Sequence, residues 1–126
     1  MGYHMTQRDA RFHLPRRHFK AAIKAVRQLL SAPIYDSADH PTRQRSLAKA
    51  LPVLGWEVEQ DTQTGDIVSI LFAGEKAHED LELLKVLAPF VKRGSFIAMD
   101  GEDGCLWRWW FTGQSVREQY GHVVYK

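Results

Sequence analysis

Chemistry in this 126-residue chain would have to start from few groups. Asp100, Glu102 and Asp103 crowd one short stretch interrupted by Gly101 and Gly104. Three carboxylates so close suggest a Ca²⁺ loop or an acid–base pair, but Ca²⁺ takes at least about six oxygen ligands. The glycines point instead to a tight hairpin turn. His4, His13, His18, His40, His78 and His122 are scattered, and none has a partner at ligand spacing. Cys105 is the one cysteine; placed in a strand on the core-facing side, it serves as a small hydrophobe. No Gly-rich phosphate loop, H-E-x-x-H, C-x-x-C or G-x-S-x-G is present. The sequence therefore assigns no catalytic residue, no metal and no cofactor. An enzyme built from dispersed residues is kept as the third class of function.

Binding chemistry is better represented. Residues 94–112, GSFIAMDGEDGCLWRWWFT, read as two strands joined by the acidic turn. Successive strand residues point to opposite faces of a sheet. Ile97, Met99, Trp107, Trp109 and Phe111 share one face, and Phe96, Leu106, Arg108 and Trp110 share the other. A loop over residues 100–104 sets Met99 against Cys105 and Ile97 against Trp107. A two-residue turn at Gly113 and Gln114 sets Phe111 against Val116 and Trp110 against Arg117. The first face, with Val116, Tyr120 and Val124, is core. The second collects Phe96, Leu106, Arg108, Trp110, Arg117, Gln119, Val123 and Tyr125, and Trp, Tyr and Arg are the types that dominate binding hot spots. Glu102 and Asp103 in the turn are further candidates for partner contact. An exposed face this aromatic would be sticky, which favours its being covered by the N-terminal helix pair; left open, it is a docking surface.

A second group is cationic. Phe19, Ala22, Ile23, Val26, Leu29 and Leu30 recur at helical spacing after Pro15, with Arg16, Arg17, Lys20, Lys24 and Arg27 on the other side. Such a basic amphipathic helix either packs on a core with a solvated back or tracks phosphates, with sheet aromatics stacking on bases. Residues 1–50 carry a net +7 and residues 51–126 a net −5, which sum to +2. That asymmetry fits docking of one half on the other as well as an acidic partner.

Length and composition bound the rest. With 44% hydrophobic and 25% charged residues, this is an ordinary globular chain of one domain. It has no apolar run long enough for a membrane span, and one cysteine fits a reducing cytoplasm. Residues 1–5 (MGYHM) read as a short leader, His4-Met5 being the dipeptide a common cloning site leaves; residues 6–126 form a single α+β domain. After the basic helix comes a polar connector over residues 33–42, then a shorter helix with Leu47, Ala50, Leu51 and Leu54 inward. Trp56 to Phe72 reads as a hairpin around a turn at residues 60–65. A helix opened by Glu79, Asp80 and Glu82 and closed by Lys92, Arg93 and Gly94 follows, with Pro89 in its last turn. The expected order is α-α-β-β-α-β-β-β, an antiparallel sheet of about five strands with helices packed on it.

One resemblance can be placed on these residues. Trp56-Glu57, Gly65-Asp66-Ile67-Val68, Leu87-Ala88-Pro89-Phe90-Val91, Gly94-Ser95-Phe96-Ile97, Gly101-Glu102-Asp103-Gly104 and Trp107-Arg108-Trp109 carry it. Over roughly residues 46–112 the chain resembles a group of small uncharacterised bacterial proteins with a GSYIEM-x-GEDG-x-x-WRW-like signature. Ala98 and Asp100 depart from it where a glutamate is expected. The resemblance implies a cytoplasmic protein of bacterial or mobile-element origin and no catalytic activity. Small mobile-element proteins of this size often act as inhibitors or antitoxins, an analogy of size and origin alone. The leading expectation is a non-enzymatic protein-binding module, an inhibitor, immunity or anti-defence factor; nucleic-acid binding through the basic helix is the alternative. No oligomeric state is assigned.

Overall fold

The structure, a computed structural model, describes residues 3–29, 46–74 and 80–121. Within them the order is β1 (Met5–Arg11), α1 (Phe19–Leu29), α2 (Leu47–Val53), β2 (Trp56–Gln60), β3 (Ile67–Phe72), α3 (Asp80–Leu87), β4 (Phe96–Gly101), β5 (Leu106–Phe111) and β6 (Val116–Gly121). The architecture is α+β, as expected. The single five-strand sheet is not: an antiparallel four-stranded sheet, β1-β4-β5-β6, accompanies a two-stranded one, β2-β3.

Strand β1 is the element missing from the expected order. It occupies the edge beside β4, and a register shift between Gln7 and Asp9 breaks its period of two. That bulge, with a run of polar residues, hides the strand from a pattern search. Part of the presumed leader also enters the fold: Met5 is buried in the core and the Tyr3 ring packs against Trp107.

Gln7 ties the two sheets together. Its Nε2 donates to the Ile70 carbonyl and its Oε1 accepts from the Phe72 N–H, both at 2.9 Å. Further along, Leu14 and Ile67 exchange both backbone hydrogen bonds, at 2.9 and 3.0 Å. A side-chain amide thus stands in for ladder bonds where β1 and β3 do not pair directly.

The helices follow their apolar periods. Ala22, Ile23 and Val26 bury one stripe of α1, and Leu83, Leu84 and Leu87 one stripe of α3. Ser46 caps α2 by accepting the Lys49 N–H, and Gly55 leaves that helix at φ 93°. Pro89 converts the end of α3 into a 3-10 turn over Ala88–Phe90. Leu30, Glu79, the connector over residues 33–42, Val123, Val124 and Tyr125 lie outside the described residues.

The strand registers put the expected faces in place with one correction. Met99 pairs with Trp107 and Ile97 with Trp109, two residues from the expected partners, because Asp100 and Gly101 belong to β4 and the turn is shorter. A slip of two leaves every side chain on its face. Cys105 consequently precedes β5 and is half-buried in the turn rather than set within a strand. Phe111 pairs with Val116 and Trp110 with Arg117, as the turn at Gly113 requires.

Candidate interaction face

One side of the four-stranded sheet is core. Ile97, Met99, Trp107, Trp109 and Phe111 are buried there. Trp56 from β2 meets Trp109 with ring centroids 6.2 Å apart, and Phe12 meets Phe111 edge-on at 5.6 Å. Tyr120, expected in this core, is 69% exposed on the edge strand β6, beside the buried Trp107.

On the other side Phe96, Leu106 and Trp110 are only half-buried and Arg108 and Arg117 are exposed, so among the described residues the expected burial of this face by the N-terminal helix pair is not seen. Register places three rows across the sheet here. The first is Thr6, Asp100, Leu106 and Gly121; the second is Asp9, Ala98, Arg108 and Gln119. The third is Arg11, Phe96, Trp110 and Arg117. Phe96, Leu106 and Trp110 are half-buried, while Arg11, Arg108 and Arg117 are exposed. Neighbouring strands lie about 4.8 Å apart, so the third row sets two aromatic side chains side by side with an arginine at each end. Arg108 Nε donates to Gln119 Oε1 at 2.6 Å, which holds the guanidinium along the sheet.

Charge divides along the strands. Arg11 and Arg117 sit at the end where β4 begins, near the exposed Lys92 and Arg93 of the preceding turn. Asp100 sits at the other end, about 13 Å from Trp110 at the usual rise per strand residue, with Glu102 and Asp103 in the turn beyond it. Arg8, displaced by the bulge, reaches Asp100 at 3.2 Å.

The acidic turn is engaged in holding itself and the N-terminal strand. Asp103 Oδ1 accepts from the Tyr3 hydroxyl at 2.5 Å and from the Cys105 N–H at 3.0 Å. These bonds hold the Asp103 carboxyl below its ordinary value, the Tyr3 bond contributing most. The same bond pushes the Tyr3 phenol up to about 12. The Glu102 N–H donates to the His4 carbonyl, while its side chain stays exposed.

The expected site residues are therefore partly assembled. Arg108, Trp110 and Arg117 share the open face; Glu102 and Asp103 stand at its far end; Tyr125 lies outside the described residues. Arg11 and Phe96 complete the aromatic row. Arg11 was missed together with β1, although Ala10, Phe12 and Leu14 alternate ahead of Pro15 and offered a signal.

Arg16 and Arg17 lie in a 3-10 turn ahead of α1, with Lys20 and Lys24 exposed on the helix and Arg27 half-buried. Helix α1 packs on α3 and α2, and its buried stripe joins the core that holds Trp109, whereas Trp110 lies on the other face of the sheet. The arrangement in which the basic helix holds phosphates while sheet aromatics stack on bases is not brought together. Among the described residues no cluster of three or more His, Cys, Asp or Glu could hold a metal ion. No helix among them is long and apolar enough to cross a membrane. No protein-family model, curated protein or solved structure matches the chain.

Proposed function

We propose that the protein is a non-enzymatic interaction module that binds another protein, of acidic surface, through the open face of its four-stranded sheet. The observation that carries this reading is the row Arg11, Phe96, Trp110 and Arg117. Aromatic and arginine side chains concentrate binding energy where a partner removes them from water. Strand register fixes the backbone positions of all four, and Phe96 and Trp110 are half-buried, so part of the ordering cost is met before binding. Arg108, held by Gln119, extends the cationic surface toward the middle of the face. The resemblance to small bacterial signature-bearing proteins implies a cytoplasmic protein of bacterial or mobile-element origin, and an inhibitor, immunity or anti-defence role is added by analogy with other mobile-element proteins of this size.

The test is capture of partners from the source cell with wild type, Trp110→Ala and Arg117→Glu, each with and without nuclease. A protein that survives nuclease, is lost with both variants and is released by salt supports the reading. Retention by both variants, with their melting temperatures unchanged, overturns it. Capture that vanishes with nuclease yet survives Trp110→Ala moves the function to Arg16, Arg17, Lys20, Lys24 and Arg27.

A further inference from the structure

Among the described residues the four-stranded sheet ends at β6, whose outer hydrogen-bonding edge no described strand uses. Among the described residues β6 pairs with β5 alone. The Thr112 N–H donates to the Ser115 carbonyl at 2.8 Å, which makes that pair the closing rung of the hairpin. Antiparallel rungs alternate, so Arg117, Gln119 and Gly121 turn their backbone groups toward β5. Val116, Glu118 and Tyr120 therefore point theirs outward. The strand contains no proline and no bulge, two of the devices that blunt an edge, and its charge is confined to the neighbouring Arg117 and Glu118.

Its side chains restrict what can pair there. A second copy related by a two-fold axis can meet β6 only in registers that place like-facing residues together. An axis on Glu118 would oppose two carboxylates, and one on Arg117 two guanidiniums; both are unfavourable. An axis on Gln119 opposes two neutral amides and sets Glu118 against Tyr120 twice. In one chain the Tyr120 hydroxyl already donates to Glu118 Oε1 at 3.0 Å, so these two groups are suited to each other. The same register covers Tyr120, the aromatic left 69% exposed on the inner side.

We propose that β6 is a homodimer edge, pairing antiparallel with β6 of a second copy about an axis at Gln119 and joining the two four-stranded sheets into one. The pairing leaves the Arg11–Phe96–Trp110–Arg117 row free, although Gln119 at its axis also holds Arg108 on the outer face. It does set two Arg11–Phe96–Trp110–Arg117 rows on one continuous surface.

Sedimentation of the wild-type protein with two charge variants tests this. The wild type sediments as a dimer. Gln119→Lys and Gln119→Glu each weaken association by about tenfold or more, as like charges meet at the axis. Mixing the two variants restores the dimer. In a Cys105→Ser background, Gln119→Cys oxidises readily to a disulfide-linked dimer. This position is a non-hydrogen-bonded pair with its Cα atoms about 4.5 Å apart, within disulfide range. Glu118→Cys, which faces Tyr120 instead, crosslinks poorly. Trp110→Ala leaves the dimer intact, so failure of the partner reading and failure of this one are distinguishable. A monomeric wild type, or a dimer indifferent to charge at residue 119, overturns the proposal.

Discussion

Trp56 and Asp80 meet inside the protein: the indole Nε1 of the first donates to Oδ1 of the second at 3.0 Å, and both residues are buried. The bond joins the start of β2 to the start of α3 and lets the tryptophan ring lie against Phe72 and Trp109. Trp56→Phe keeps most of the apolar contact and removes the donor. Its expected cost is about 1–3 kcal/mol, the range for a buried polar partner left without its bond. Urea denaturation would read it as a lower midpoint at unchanged slope; an unchanged midpoint would mean that the bond contributes nothing to stability.

Gln7 replaces a stretch of strand pairing with one side-chain amide. Gln7→Leu fills similar space but leaves the Ile70 carbonyl and the Phe72 N–H without their partner. We expect destabilisation of about 1–3 kcal/mol. Hydrogen exchange should accelerate most at the Phe72 amide, and less within the β4–β5 ladder. Uniform acceleration across both sheets would show that Gln7 supports the whole fold rather than the junction.

Adjacent tryptophans should differ sharply. Trp109 is buried among Trp56 and Trp107, so Trp109→Ala is expected to cost about 3–5 kcal/mol. Trp110 is half-buried on the open face, and Trp110→Ala should cost about 1–2 kcal/mol, in proportion to the smaller area it buries. Thermal melts of the two variants compare them directly. Equal losses would mean that the open face is covered.

Stability should fall at both extremes of pH. Three aspartates have carboxyl groups held below their ordinary 3.8. Asp61 is held by the Thr64 and Gln63 N–H groups, Asp66 by the Arg16 N–H and then His13, and Asp103 by the Tyr3 hydroxyl and then the Cys105 N–H. The unfolded chain takes up these protons first as pH falls. Their contribution is present above about pH 4 and is lost as pH drops through the lowered folded values. Tyr3 runs the other way: raised from 10.0 to about 12, it stabilises below pH 10.0 and the contribution disappears between there and about 12. Tyr120 is raised in the same direction by Glu118. Denaturant titrations across pH should show both limbs, and Tyr3→Phe should flatten part of the alkaline one. An alkaline limb identical in Tyr3→Phe would remove the Tyr3–Asp103 bond from the account.

Much of this was legible in the sequence because it rests on local periods. Most of the α1 stripe, Leu84 and Leu87 of α3, the hairpin from Trp56 to Phe72 and the division of residues 96–111 into two faces follow from spacing. Leu29, expected inward, is instead exposed, and Leu83 rather than Leu81 is the buried leucine at the start of α3. Even the wrong register between β4 and β5 preserved the faces, since its error was an even number of residues. Strand β1 left only a short signal, the alternation of Ala10, Phe12 and Leu14 at and beyond its end. Its bulge changes the period, and Gln7 is a buried-side polar residue whose partners, Ile70 and Phe72, are distant in sequence. Cover of the Trp110 face was a question of tertiary placement, which the local pattern of residues 96–111 does not determine. The helices could satisfy their stripes on either side of the sheet.

The division of charge along the open face has a kinetic meaning. With arginines at one end and carboxylates at the other, the surface has an electrical direction parallel to its strands. A partner of matching polarity is turned into alignment before any side chain touches, and a reversed approach is repelled at both ends. Added salt shortens the reach of that field to a few ångströms. The first quantity to suffer is then the rate at which correctly oriented encounters occur, while the lifetime of a complex seated on Phe96 and Trp110 changes far less.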